Sequence, residues 1–294
     1  MAPHEIPQYG LWCLKPVYGL NDAPVAWQLS LGKFLKKHKG VPSHLDDSFY
    51  HWKNPKASPS LQAVLTTHVD DLAVVGSPTF LNQLCGDMCK EFGKITKDCL
   101  PFAHCGCRYS KTETGLKMDQ ADFASRLRPV DDPPGADDRK LTPAEITQFR
   151  SVIGGLMWLC SSRMDVVADT GVLQSAVPDA RVHHLRQANQ LVKKFCADDR
   201  KELGLHYHFF PPGTKLRLQC IHDAASAPKG RCYSQEGILV LVMPELPQHI
   251  LRQDELQCTS EEASTLSNFG HLLYAHGGKS KSCLLYTSPS PRDA

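Results

Sequence analysis

Residues 63–76 read AVLTTHVDDLAVVG, two β-rich apolar runs interrupted by Asp70 and Asp71. Small and β-branched residues on both sides of a two-residue acidic break predict a tight hairpin with both carboxylates at its tip. Adjacent like charges on the lip of a sheet repel, and a divalent cation relieves that repulsion. Hard oxygen ligands of this kind suit Mg²⁺ (or Mn²⁺), which binds through one or two carboxylates plus substrate phosphates and keeps several waters. Two such ions about 3.5–4 Å apart can clamp the attacking and leaving oxygens of a phosphoryl transfer. The same dipeptide is equally the makeup of a solvated turn, because Asp favours turns.

Working outward, residues 22–40 have helical spacing at Val25, Ala26, Leu29, Phe34 and Leu35, with Asn21 or Asp22 as the N-cap and Pro24 in the first turn. Residues 47–52 read as a strand, 78–92 as a second helix closed by Gly93, and 103–110 with 116–118 as a second hairpin around Glu113, Thr114 and Gly115. Helix, hairpin, helix, hairpin is an α+β order, not a doubly wound sheet. Residues 129–140 (PVDDPPGADDRK) have the composition of a linker, and 143–196 are helical in pattern throughout. Beyond residue 205, 216–221 and 238–243 read as strands and 260–273 as a helix capped by Thr259 or Ser260. Acids stand at Asp223 and, in the first turn of that helix, at Glu261 and Glu262, where they also suit the helix dipole.

The chain has 294 residues, 41% hydrophobic and 22% charged, with a net charge of +2, a globular composition that leaves no room for a dominant basic or acidic tail. A nucleic-acid surface must therefore be local; Lys33, Lys36, Lys37 and Lys39, with Lys193 and Lys194, are candidates, and are equally solvated helix ends. No apolar run approaches the roughly 18 residues of a membrane helix and no signal peptide opens the chain, so the expectation is an intracellular protein, cytoplasmic or nuclear, with no membrane partner. The 12 cysteines include no C-x-x-C pair, which favours reduced thiols. Cys105 and Cys107, alternating about Gly106 in an expected strand, point to one face and suit burial better than a metal.

Five segments in order carry a resemblance. Residues 14–27 (LKPVYGLNDAPVAW), 68–72 (HVDDL), 119–127, 149–159 (FRSVIGGLMWL) and 163–165 resemble the reverse transcriptase of copia-type LTR retrotransposons, with its K-x-L-Y-G-L-K-Q-x-P-x-x-W, Y-V-D-D, Y-R-x-x-x-G-x-L-x-Y-L and T-R-P-D motifs. The resemblance implies an RNA-directed DNA polymerase working by two-metal nucleotidyl transfer. Asp70 and Asp71 would be its catalytic, Mg²⁺-binding carboxylates. Lys15, Tyr18, Gly19 and Trp27 would lie under the template and incoming dNTP, the partners being an RNA/DNA primer-template and dNTPs. Asn21-Asp22 replace the family's Lys-Gln, His68 its Tyr and Val25 a common Arg, which strips polar and basic groups from this region.

The implied architecture is a reverse transcriptase palm-like antiparallel sheet with helices (1–128), a linker (129–142), a helical connection (143–204) and a partial RNase H-like α/β unit (205–276). In that unit Asp223, in 223–227 (DAASA), matches the first metal-binding acid. Glu262, or Glu261, matches the acid of an S-x-E-A-E-Y helix. Residues 277–294 read as a disordered tail, and 283–294 (CLLYTSPSPRDA) resemble read-through of a sequencing-library adaptor. A further palm aspartate would lie upstream of Met1. The expectation is a truncated, inactive polymerase, with a non-catalytic nucleic-acid-binding remnant as the alternative.

Overall fold

A computed structural model describes residues 20, 22–57, 60–225, 235–245 and 270–279. The chain divides into two compact units, residues 1–98 and 99–294.

In the first unit α1 (Ala23–Lys37) is followed by β1 (Val41–Pro42), β2 (Phe49–Lys53), β3 (Leu61–His68), β4 (Asp71–Gly76) and α2 (Pro78–Phe92). The strands form one antiparallel sheet in the order β1-β2-β3-β4. Tyr50 pairs with Leu65 and Leu65 with Val74, while Trp52 pairs with Ala63. Because strand side chains alternate faces, these residues share the face that meets Leu31, Phe34 and Leu35 of α1 and Leu84 and Met88 of α2. Trp52 donates from Nε1 to the His38 carbonyl at 2.8 Å, fixing the end of α1 to the sheet. Ser77 caps α2 through its hydroxyl, Pro78 occupies the first turn, and Gly93 ends the helix at φ 88°. The expected cap of α1 differs: Asp22 takes the cap position in an αR conformation and its side chain makes no capping bond.

The second unit contains β5 (Phe102–His104), β6 (Cys107–Lys111), β7 (Gly115–Asp119), α3 (Ala121–Ala124), α4 (Pro143–Leu159), α5 (Val167–Ser175), α6 (Val182–Phe195), β8 (Gly204–His208), β9 (Leu216–Ala225), β10 (Gln235–Pro244) and β11 (His271–Lys279). One antiparallel sheet runs β5-β6-β7-β8 and another β11-β10-β9, so the molecule is mixed helix and antiparallel sheet, α+β as expected. Its main core is helical: Phe149, Val152, Ile153, Leu156 and Leu159 of α4 interlock with Val182, Leu185, Ala188, Val192 and Phe195 of α6, and Leu173 of α5 closes them.

Four expectations change here. The compact boundary falls at 98/99 and not at 128, because β7 pairs with β8, Gly115 opposite His208 and Asp119 opposite Gly204. Long-range pairing of this kind leaves no local pattern to read. The run 103–110 is split: Cys105 (φ 48°) and Gly106 (φ 72°) form the turn between β5 and β6, so Cys105 is not a strand neighbour of the buried Cys107. The helix expected over 260–273 does not continue through its last three residues, since His271–Lys279 is a strand paired with β10.

The Pro- and Asp-rich segment is an anchored strap and not a free linker. Val130 exchanges two hydrogen bonds with the Asn189 side chain (3.0 and 2.9 Å), Arg186 holds Asp132 and Asp137, and Leu141 N–H donates to the Ala180 carbonyl at 3.0 Å. Glu145 then completes a capping box with Thr142 and takes a bidentate Arg139 at 2.8 and 3.0 Å. The Arg139 guanidinium, with the Thr142 N–H second, holds the Glu145 carboxyl down at about 2. A carboxyl depressed on folding stabilises fully above its ordinary value of 4.5 and loses that contribution as pH falls through its folded value. The stability difference between wild type and Glu145→Gln is therefore expected to shrink between pH 4.5 and about 2, read as unfolding midpoints across that window. A difference constant with pH contradicts this.

Candidate metal and nucleic-acid site

The β3–β4 hairpin turns on two residues, but they are Val69 and Asp70; Asp71 pairs with His68 as the first residue of β4. The expected acidic tip is thus shifted by one residue, with Asp70 in the loop and Asp71 on the strand end. Both side chains are exposed. Val69 has φ 55°, a region that costs a β-branched residue of order 1–3 kcal/mol and that persists where the surroundings fix it.

One fixing contact is visible. Trp27, in the first turns of α1, donates from its indole Nε1 to the Val69 carbonyl at 2.7 Å, and its ring meets Phe92 edge-on at a centroid distance of 5.2 Å. Residues 42 positions apart in sequence are thereby joined at the acidic turn. Trp27 packs against the core beneath the sheet and acts as a strut under the hairpin. Trp27→Phe keeps the ring contact and deletes the hydrogen bond, so stability of the first unit is expected to fall by about 0.5–1.5 kcal/mol. Amide exchange at Asp70 and Asp71 should accelerate with it, and unchanged exchange at those two positions would remove the strut.

In the second unit Asp223 lies on β9 opposite Gly237 of β10, which is opposite Gly277 of β11. Two glycines beside one carboxylate leave that row of the sheet bare. A Cβ at Gly277 would come to 3.4 Å from Ala168 Cα on α5, so the strand and the helix lie in contact there. Asp223, Glu236 and His276 line an open cleft of ≈ 430 Å³ against α5, and Glu236 stands 3.9 Å from His276 Nε2. Glu236 and His276 share one face of the sheet, because His276 lies opposite Ile238, whereas Asp223, opposite Gly237, stands on the other face, so the three side chains do not converge.

Lys15, Tyr18, Gly19, Glu261 and Glu262 lie outside the described residues, as does 280–294. Among the described residues no three of His, Cys, Asp and Glu converge to hold a metal ion, and no helix is long and apolar enough to cross a membrane. Lys33, Lys36, Lys37 and Lys39 are all exposed at the end of α1.

With this geometry in hand, the chain proves similar to the Retrovirus-related Pol polyprotein from transposon RE1 of Arabidopsis thaliana, 23% identical over 235 residues. That similarity supports a retrotransposon Pol origin. The alignment takes in 74% of this chain and 15% of the polyprotein, so the chain spans a small part of its relative. No family model and no solved structure matches.

Proposed function

We propose that this chain is a segment of a copia-type retrotransposon Pol protein. In this reading it carries the Asp70–Asp71 corner of a reverse-transcriptase palm, a helical connection, and in Asp223 the first acid of an RNase H-like unit. Its partners are an RNA/DNA primer-template and dNTPs, and its cofactor is Mg²⁺ (or Mn²⁺). The observation that carries the proposal is the Trp27–Val69 bond, which links the 14–27 and 68–72 motifs at the turn that bears Asp70 beside Asp71.

The donor set fits such an ion. Two exposed carboxylates, with no third acid converging among the described residues, suit a cation that keeps most of its waters. When bound, the ion supplies charge stabilisation for phosphoryl oxygens. The chain's own part is positional: Trp27 holds the turn, Val69 presents Asp70 beyond the sheet edge, and the α1 lysines attract phosphates. The sparse donor set also favours the alternative of a nucleic-acid-binding remnant without catalysis, since loss of a metal-binding acid removes several kcal/mol of transition-state stabilisation.

Primer-template binding by fluorescence anisotropy tests the shared part of both readings. Affinity is expected to fall steeply with salt, and replacing Lys33, Lys36, Lys37 and Lys39 by Gln should flatten the log–log slope by about 3–4. A salt-independent signal contradicts both. Primer extension with Mg²⁺ or Mn²⁺ separates them. Template-dependent product above an Asp70→Asn control establishes the polymerase reading; product equal to that control leaves the binding remnant.

A further inference from the structure

The Pro- and Asp-rich strap is seated on the first turn of α6. Leu141 N–H donates to the Ala180 carbonyl, Val182 N–H to the Arg139 carbonyl and His183 N–H to the Asp137 carbonyl, at 3.0, 3.0 and 3.1 Å. These bonds draw on an extended backbone at Arg181, the N-cap of the helix, which has φ −122° and ψ 166°. Arginine carries no acceptor, so it cannot cap a helix as Ser or Asp does, and Arg181 makes no side-chain capping bond. A return bond from the third helical position holds it instead: Arg181 N–H donates to His184 Nδ1 at 3.0 Å.

The partners fix the tautomers of two neighbouring histidines. A backbone N–H only donates, so the Nδ1 of His184 is the bare nitrogen of a neutral ring. A carbonyl only accepts, so the Nδ1 of His183, 2.8 Å from the Asp137 carbonyl, carries a proton. Protonating His183 therefore leaves its bond intact, whereas protonating His184 puts a hydrogen where the Arg181 N–H points. At α4 the same third position belongs to Glu145, which accepts the Thr142 N–H at 2.8 Å and whose carboxyl is held down at about 2. The strap thus meets two helices whose capping acceptors titrate in different pH ranges.

We propose that His184 is a pH-sensitive latch: its neutral ring accepts the Arg181 N–H and holds the strap on α6, and protonation at Nδ1 breaks that bond and loosens the strap. The charged groups around this turn are largely engaged with one another. Arg186 holds Asp132 and Asp137, Lys140 and Arg181 hold Asp179 at 2.9 and 3.4 Å, and Arg139 holds Glu145 of α4. The Asp138 carbonyl accepts from Arg181 Nη1 at 2.7 Å. A proton on His184 adds a cation beside these carboxylates already taken. Arg181 itself, the positive end of the α6 dipole and the His183 ring at a centroid distance of 3.9 Å all oppose that charge. Without the bond Arg181 is free to leave its extended conformation, and the three backbone bonds across it weaken together. The α4 cap stays closed in the same range, so the strap loosens from its α6 side.

The inference goes beyond the proposed function, because its readout requires neither metal nor nucleic acid. The experiment uses the full chain in two measurements. Ring ¹⁵N shifts of His184 at neutral pH should report the Nε2–H tautomer. Amide exchange, corrected for intrinsic rates, is compared between about pH 7.5 and about pH 5.5, either side of the ordinary imidazole value of about 6.5. Protection at Leu141, Val182 and His183 is expected to fall about tenfold at the lower pH, a size set by the loss of one helix cap. His184→Gln keeps an acceptor that does not titrate, so its protection should stay level, while His183→Gln should retain the wild-type response. A His184 found as the Nδ1–H tautomer at neutral pH overturns the proposal. So does wild-type protection that ignores pH, and so does a pH response that survives in His184→Gln or vanishes in His183→Gln.

Discussion

Arg163→Met is expected to destabilise the second unit by about 2–4 kcal/mol, chiefly by leaving without a donor the carbonyls that its guanidinium satisfies, since its carboxylate partner Asp165 is 42% exposed and stays hydrated. Arg163 is 2% exposed, yet every arm of its guanidinium is used. Nε and Nη2 grip the Asp165 carboxylate at 2.8 and 2.6 Å, and Nη1 donates to the carbonyls of Phe195 (3.0 Å) and Arg200 (2.8 Å). Those two carbonyls close the end of α6 and the turn that leads to β8, so one side chain ties the α4–α5 junction to the far end of the helical core. Methionine fills much of the volume and satisfies none of the acceptors, which leaves buried carbonyls unpaired. The pair also registers in Asp165, whose carboxyl is lowered by the Arg163 hydrogen bond and charge although burial opposes it. Arg163→Lys should recover only part of the loss, because an ammonium cannot reproduce the planar fork. Thermal unfolding reads the effect as a midpoint lowered by roughly 10 °C. A shift near zero would mean that the network is not what holds α6 in place.

Arg163 also shows how far sequence could be read. The 163–165 segment reads as a motif, and its role as a buried tie is not legible because its acceptors are 32 and 37 residues away. The helix 78–92 was legible to the residue, since Ser77, Pro78 and Gly93 are local signals with local effects. The strands flanking Asp70 and Asp71 were legible to within two residues at every end but misplaced the turn by one, because alternation reports faces and not where a two-residue loop begins. The Cys105–Gly106 turn was missed for a related reason: its signal is a positive φ at cysteine, which composition does not announce. Strand order was beyond reach wherever partners are distant, as with β7 and β8. For the candidate site, the paired acids are legible from their neighbours, whereas Trp27's bond to Val69 spans 42 residues and depends on tertiary packing.

The second large effect concerns those paired acids. If the turn presents a divalent ion site, the double substitution Asp70→Asn, Asp71→Asn removes both anionic ligands while preserving size and hydrogen-bonding capacity. Even outer-sphere substitutions cost about 10–100-fold in metal affinity, and the loss of both direct ligands should reach or exceed that range. Folding should survive, because both side chains are exposed and neither belongs to the core beneath the sheet. The most direct measurement is Mn²⁺-induced broadening of backbone amide resonances in the full chain. Selective broadening of residues 68–72 at substoichiometric Mn²⁺, displaced by Mg²⁺ and absent in the double variant, is the predicted result. Broadening that bypasses the hairpin, or that persists unchanged in the double variant, would contradict a metal-binding role for Asp70 and Asp71.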